Sequence, residues 1–443
     1  MASSKKSTAL TCVVRHIKVN AVDKRVLPEP ASSLTITYCE EAAVNHMACC
    51  ERPLHVPEDR VFDFDYLADP LMETDPRAAY LRLRAAPELV WTPRNEGHWI
   101  ATRYDTIFEV FSNPDRFSSF PYLIPKSVAP HDHPLPLAEM DPPEHTKYRQ
   151  LLMPLLNAKV VRSFEEKARA TLIELTEAVR HKGECEFVDA VAARFPIYLV
   201  MDWLDLPRQD REMLMADVAK VLGPYPPEIR RAAREATERY VASLALQRRG
   251  SSGEDLISRL VNGIVDGKLV DAEKGIAMAS NLVMGGLDTV TSSLGLITMY
   301  LAQNPGKQTQ LRNNPALIPT AAEELFRYIA PPALARCVKH DMEFRGVQLK
   351  AGEQILAPLI LAGLDPAVNT DPLEVDFARK APRHLAFSTG PHFCPGSPLA
   401  RLEVQIFLQE WLARIPKFHI KPGTVPKTVG GIVMGVRNLQ LEW

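Results

Sequence analysis

Residues 271–303 constrain this chain more than any other stretch. From Ile276 to Ala302 the sequence is almost continuously apolar, and no proline interrupts it. At 1.5 Å per residue such a run makes a single helix roughly 50 Å long, enough to cross a whole domain. It is also long enough to span a bilayer. Asn281, Asp288 and several hydroxyl side chains lie within it, however, and an Asp near mid-membrane is costly. The stretch therefore reads as the buried central helix of a soluble protein, with no membrane span. Of 443 residues, 46% are hydrophobic and 24% charged, values that exclude disorder as the overall state.

Lys and Arg number 52 against 54 acids, a net charge of -2, so composition gives no nucleic-acid signal and any basic partner surface has to be local. Four of the seven cysteines (Cys12, Cys39, Cys49, Cys50) lie in the first fifty residues without zinc-type spacing. Cys-x-x-Cys-His is absent, which removes covalent c-type haem attachment. This usage points to a reducing, cytoplasmic compartment. The apolar run from Leu10 to Val14 is too short for a signal anchor. Residues 1–60 are expected to form a poorly ordered N-terminal extension and residues 61–443 a single domain, since no repeat or low-complexity linker divides them.

The periodicity predicts helices over 106–111, 144–156, 160–180, 193–204, 227–248, 253–261, 271–303 and 397–415. Asp105 reads as the N-cap of the first, and Asn113-Pro114 closes it. Strands are expected at 98–104, in pairs across 336–349 and 354–357, and again within 431–443. Prolines recur from Phe117 to Pro143, which marks an irregular loop. The fold class is mainly α with a minor β portion.

The most chemical stretch is Phe387-Ser-Thr-Gly-Pro-His-Phe-Cys394-Pro-Gly396, followed at once by a helical pattern. A cysteine before a helix N-terminus meets unpaired N–H groups and the positive end of the dipole, which lower a thiol pKa and favour the thiolate. Gly390 and Gly396 permit positive φ and close approach of the backbone to a flat ligand. Phe387 and Phe393 are placed to exclude water on either side of the sulfur, and His392 to touch the ligand's edge. A lone cysteine is ordinarily a small buried hydrophobe; the glycines, aromatics and following helix together reverse that expectation. A second constellation, Gly285-Gly286-Leu287-Asp288-Thr289-Val290, lies mid-way along the long helix. Adjacent glycines there cost roughly 1 kcal/mol each against Ala. The buried Asp needs a partner, and Thr289 can bond back to the Gly285 carbonyl. A glycine helix contact with a satisfied Asp explains this stretch equally well when it is taken alone.

The pattern Phe-x-x-Gly-x-His-x-Cys-x-Gly resembles the haem-binding loop of the cytochrome P-450 family. The resemblance implies the P-450 fold, haem b as cofactor, Cys394 as the axial iron thiolate and His392 as a propionate contact. By the same resemblance Thr289 and Asp288 form the oxygen-activation motif, the first as hydrogen-bonding alcohol and the second as proton relay. Glu324-Leu-Phe-Arg327 is similar to the family's Glu-x-x-Arg pair beneath the haem, although the same spacing recurs at Glu166/Arg169, Glu177/Arg180 and Glu228/Arg231 as ordinary surface pairing. Arg336, His145 and Arg149 match the propionate-binding arginine and the His/Arg pair of the family.

The resemblance covers residues ~60–443 and is closest to the bacterial camphor-hydroxylating branch. Where that branch has a substrate-binding Tyr, this chain offers His133, which is either a carbonyl donor or a solvated loop histidine. Asn281, Met284 and Gly285 line the implied pocket, Leu334 replaces an Asp, and Ile432 and Val433 keep an apolar wall. Pro395, lacking an N–H, removes one donor from the sulfur and is expected to leave it more electron-rich. The implied activity is monooxygenation: O2 and two electrons hydroxylate an unactivated C–H of a terpenoid-like ketone, ionone-type or camphor-like. The resemblance implies electrons from a [2Fe–2S] ferredoxin reduced by an NADH-dependent flavoprotein, for which Lys147, Arg149, Arg401 and Arg383 are either a docking patch or solvated helix charges. A peroxide-driven peroxygenase and a non-enzymatic haem sensor are the rival readings. Asp288-Thr289 argues against the first, and the lack of an effector module against the second.

Overall fold

The computed structural model describes residues 49–128 and 134–443. In chain order, the helices that shape the interior are α1 (Tyr104–Ser112), α2 (Glu144–Leu152), α3 (Glu165–Arg180), α4 (Arg194–Leu204), α5 (Arg211–Leu222), α6 (Pro227–Arg248), α7 (Ala272–Gln303), α8 (Ile318–Ile329) and α9 (Ser397–Arg414). α7 is the expected central helix. The Asp271 carboxylate accepts the Glu273 N–H at its start, and Asn304-Pro305 ends it. Helices α4, α5, α6, α8 and α9 all pack against it. Its apolar window is the one stretch among the described residues long and apolar enough to cross a membrane, and 72% of that window is buried within the fold. It is a core helix.

The minor β portion is led by a sheet of β1 (Leu89–Thr92), β2 (His98–Ala101), β3 (Phe117–Ser118), β4 (Ala333–Val338) and β5 (Gln354–Pro358), in the order β1-β2-β5-β4-β3. β1 and β2 are an antiparallel hairpin; β5 runs parallel to β2 and antiparallel to β4, which sets Arg336 opposite Ile355. Almost every residue of β1, β2, β4 and β5 is buried, so these strands read as continuous apolar runs rather than alternating ones.

Tertiary contacts override several local signals. Asp105 lies inside the first turn of α1, and the capping acceptor is Asp365, whose carboxylate receives the Tyr104 N–H at 2.7 Å from across the fold. The expected helix 160–180 is two, Ala158–Ser163 and α3, broken at Phe164. The helix expected over 253–261 starts later, at Leu256, where the Asp255 side chain caps it. α5 carries no strong sequence signal and was not anticipated. The two C-terminal strands do not pair with each other: Gly435–Asn438 joins Lys427–Val429, and Gln440–Glu442 joins His419–Ile420 and Glu184–Glu186. The packed body also begins before the expected boundary at residue 61. Val56 is fully buried, the Cys50 N–H donates to the Pro93 carbonyl, and His55 meets Glu353 at 2.9 Å.

Candidate functional site

A cavity of about 380 Å³ lies between the middle of α7 and the loop that enters α9. On the α7 side it is lined by Asn281, Met284, Gly285, Gly286, Thr289 and Val290, and on the other by Phe387, His392, Cys394, Gly396, Leu399 and Glu403. Arg149, Arg336, Leu334, Ile432 and Val433 close its edges. Cys394 and Thr289, far apart in the sequence, thus face one space.

The Cys394 side chain is half-buried at the cavity wall, with the N–H groups of Gly396 and Ser397 directed at the sulfur and Arg149 and Arg401 nearby. These are the dipole and charge effects expected at a helix start. Burial nevertheless outweighs them and pushes the thiol up rather than down. A thiolate here needs a cation at the sulfur, which deprotonates a coordinating thiol outright. The main chain holds the loop in place: the Cys394 N–H donates to the Phe387 carbonyl at 2.8 Å, and the Ala400 N–H to Gly396 at 3.0 Å. Phe387 covers the sulfur side, wedged between the Phe326 ring at 4.9 Å and the Arg401 guanidinium at 4.3 Å. Phe393 does not share that role, being 43% exposed. Of the two glycines, Gly390 has the positive φ anticipated, +69°, and a Cβ there would also come within 2.6 Å of the Phe111 carbonyl, so it packs on α1; Gly396 has φ −82° and requires no such freedom.

The two helix glycines divide the two readings between them. A Cβ on Gly286 would lie 2.9 Å from Val200, so Gly286 is the close contact between α7 and α4. A Cβ on Gly285 would meet nothing within 4 Å, so Gly285 opens α7 toward the cavity. Beside that opening the Thr289 hydroxyl donates to the Gly285 carbonyl at 2.8 Å. Asp288 is buried but lies outside the cavity lining; burial pushes its carboxyl up, and Arg437 pulls the other way. Asn281 lines the cavity with its amide already engaged, donating to the Pro136 carbonyl at 2.7 Å and tying the overlying loop to α7. His133 lies outside the described residues.

One edge of the cavity carries positive and unpaired nitrogen. The His145 and His392 rings lie 4.1 Å apart, and the Nε2 of each is buried without a hydrogen-bond partner among the described residues. Burial holds His145 down at about 4, helped by Arg149, and His392 at about 2, helped by Arg336. Burial also brings the Arg336 guanidinium down to about 10. Arg336 donates to the Ala335 carbonyl at 2.8 Å; the nearest carboxylate acting on it, Asp141, pulls the other way but is engaged by Lys339 at 3.5 Å. Such a cluster is costly unless anionic groups arrive to pair with it. Behind α8, by contrast, Glu324 and Arg327 form a closed pair at 2.7 and 2.8 Å, both fully buried. Of the cations expected in a docking patch, Lys147 is paired with Glu144 and Asp266, and Arg401 with Glu323.

The sequence reading missed two residues of this site. Tyr122 lines the cavity from the proline-rich loop, where no periodicity points it inward. Glu403 lies one turn beyond Leu399 and Ala400 on α9, a 3–4 spacing that places all three on one face. It is buried with both carboxyl oxygens unpartnered among the described residues, and burial pushes it up to about 8. The arrangement suits a flat ligand that brings a metal cation to the sulfur and carboxylates to the basic edge.

The comparisons with known proteins point the same way. The family model "Cytochrome P-450" matches residues 186–442. Probable cytochrome P-450 127A1 of Sinorhizobium fredii is 34% identical over 401 residues, which span 88% of this chain and 96% of that protein. The crystal structure of CYP101J2 is 37% identical, covers 89% of this chain and 99% of its own, and superposes with a TM-score of 0.80. That of CYP101C1 is 34% identical over 89% of this chain and all of its own, with a TM-score of 0.81.

Proposed function

The chain belongs to the cytochrome P-450 family of haem b enzymes with an axial cysteine thiolate, and on that premise we propose that this monooxygenase holds its iron through Cys394 and hydroxylates an unactivated C–H bond of a small terpenoid-like ketone. The observation that carries the reading is a single cavity walled by the Cys394 sulfur on one side and Thr289 on the other, with Arg336 and His392 in its lining, His145 stacked on His392, and the Nε2 of both histidines without a hydrogen-bond partner among the described residues. When bound, haem supplies the iron at which O2 is reduced and a C–H bond oxidised.

The protein's own groups divide the remaining work. Gly396 and Ser397 donate N–H groups to the sulfur and fix where it points. Arg149, Arg336, His145 and His392 hold the two carboxylates of the cofactor, Arg336 and the Nε2 atoms gaining the partners they lack. Phe387 keeps water from the sulfur. Opposite, Thr289 holds a hydroxyl beside the space that Gly285 leaves open. Asp288, next to it on α7, has its carboxyl pushed up by burial, which suits a group that takes up and releases a proton there. Met284, Ile432 and Val433 form the apolar wall that fixes which carbon is presented.

Electrons reach the site from a [2Fe–2S] ferredoxin and its NADH-dependent flavoprotein reductase, in the cytoplasm. The resemblance of the sequence to the camphor-hydroxylating branch supports this donor class. Arg149 and Arg383, the two patch cations with no carboxylate ion pair among the described residues, are its contact points. Reconstitution with ferredoxin, reductase, NADH and an ionone or camphor tests the proposal. The expected result is O2- and NADH-dependent addition of one oxygen atom; equal turnover by hydrogen peroxide without O2 contradicts it.

A further inference from the structure

A second cavity, of about 100 Å³, lies between residues 74–77, the C-terminal half of α7 and the end of α8. Leu296, Met299, Ile329, Ile360 and Met434 give it an apolar lining. Two phenols share the space: the Tyr300 and Tyr328 rings meet edge to face at 5.1 Å, and the Arg77 guanidinium caps the Tyr328 ring at 4.7 Å. Tyr328 is 7% exposed, and neither phenol hydroxyl has a hydrogen-bond partner among the described residues. Polar atoms on buried side chains are ordinarily paired. Asp75, the carboxylate of this lining, already accepts the Ala78 N–H at 3.0 Å and lies 3.8 Å from Arg77. The exposed Thr74 and Gln303 offer groups of either kind, so the deep polar groups left uncommitted are donors.

One layer of residues separates the two cavities. Leu359 and Val433 line the first, and their chain neighbours Ile360 and Met434 line the second. That layer is a hydrogen-bonded unit: the Leu359 N–H donates to the Pro332 carbonyl at 3.0 Å, Met434 to Pro331 at 3.0 Å and Ala333 to Ile432 at 2.8 Å. We infer that the second cavity is an effector site, binding a single-ring molecule with one hydrogen-bond-accepting oxygen and coupling its occupancy to the apolar wall of the first. The size follows from the volumes. The first cavity takes a cofactor and a substrate together in about 380 Å³, and the second, at about 100 Å³, suits one ring. The oxygen follows from the unpaired phenols, and burial keeps Tyr300 a donor by pushing its hydroxyl up to about 12. A ligand packed on Met434 and Ile360 restrains the layer to which Val433 and Leu359 belong. By reciprocity, a substrate on the other face changes affinity here. The binding claim stands by itself; only the coupling rests on the monooxygenase reading.

The test titrates 4,4-difluorocyclohexanone into the holoenzyme by fluorine NMR, with 4-phenylimidazole saturating the first cavity. The wild type is expected to bind it saturably, and to bind 1,1-difluorocyclohexane about fivefold more weakly, the value of one hydrogen bond. That preference should vanish in Tyr328→Phe or in Tyr300→Phe with the melting temperature unchanged, and Met299→Trp, which fills the cavity, should abolish binding. A wild type without binding overturns the site, as does a preference that survives in both phenylalanine variants or binding that Met299→Trp leaves intact. Without 4-phenylimidazole, the difluoroketone should change the ratio of hydroxylated products from ionone in the wild type and not in Met299→Trp. A competitor confined to the first cavity lowers the rate and leaves that ratio alone, so an unmoved ratio overturns the coupling. If ionone is not hydroxylated at all, the monooxygenase reading fails, and the fluorine titration still decides the site.

Discussion

Arg327 and Arg336 lie a short distance apart in the chain, and both are buried, but their surroundings are opposite. Arg327 donates to both Glu324 oxygens and to the carbonyls of Gly363, Pro372 and Glu374, while Arg379 and the Asp376 N–H complete the carboxylate. Arg336 has one carbonyl and the face of Phe111 at 4.5 Å, next to two histidines whose Nε2 atoms are unpartnered among the described residues. A buried charge that is fully paired belongs to the architecture. A buried charge without a counter-charge belongs to whatever ligand brings one.

The largest effect therefore falls on the paired cluster. Glu324→Ala leaves the buried Arg327 and the half-buried Arg379 without their carboxylate and is expected to cost about 3–5 kcal/mol, read as loss of soluble, cooperatively melting protein. Arg336→Met should behave in the contrary way. Far-UV circular dichroism and the melting of haem-free protein should hold or improve, while haem loss to excess apomyoglobin accelerates roughly tenfold to a hundredfold, the value of one charge-assisted hydrogen bond. If both variants unfold alike, the contrast between the clusters is false.

Glu403 offers a sharper version, because it is unpaired yet able to neutralise itself. With its carboxyl at about 8 in the fold against an ordinary 4.5, the folded chain holds a proton that the unfolded chain has already released between those values. Stability then falls as pH rises through that window. Glu403→Gln should melt higher than the wild type near the top of the window and match it at the bottom; parallel melting curves contradict the assignment. The smallest effect concerns the sulfur. Pro395→Leu adds an N–H beside a thiolate that already receives two, and the haem reduction potential should rise; an unchanged potential shows that the N–H does not reach it.

Sequence alone reached the central helix, the cysteine loop and the acid–alcohol pair, because each is local: an uninterrupted apolar run, a glycine-flanked cysteine before a helix, two glycines before an acid. Other features are set by the fold. The spacing Glu-x-x-Arg is identical at Glu177/Arg180, a pair at 3.3 Å with side chains 38% and 47% exposed, and at Glu324/Arg327, where both are fully buried. Only packing separates them. Two adjacent glycines do not announce which packs on a neighbouring helix; here Gly286 meets Val200 and Gly285 meets no neighbour. Asp105 has the residue type and position of a cap, yet Asp365 takes the role from a distant segment. Tyr122 was out of reach for the same reason, since what turns it inward is Gln354 on β5.

The assignment of the iron ligand is tested most directly by the carbon monoxide difference spectrum of the reduced protein. Wild type should show the red-shifted Soret band of a thiolate-ligated haem. Cys394→Ser should lose that band while keeping its far-UV circular dichroism. A wild type without the band, or a Cys394→Ser variant that retains it together with turnover, contradicts the assignment.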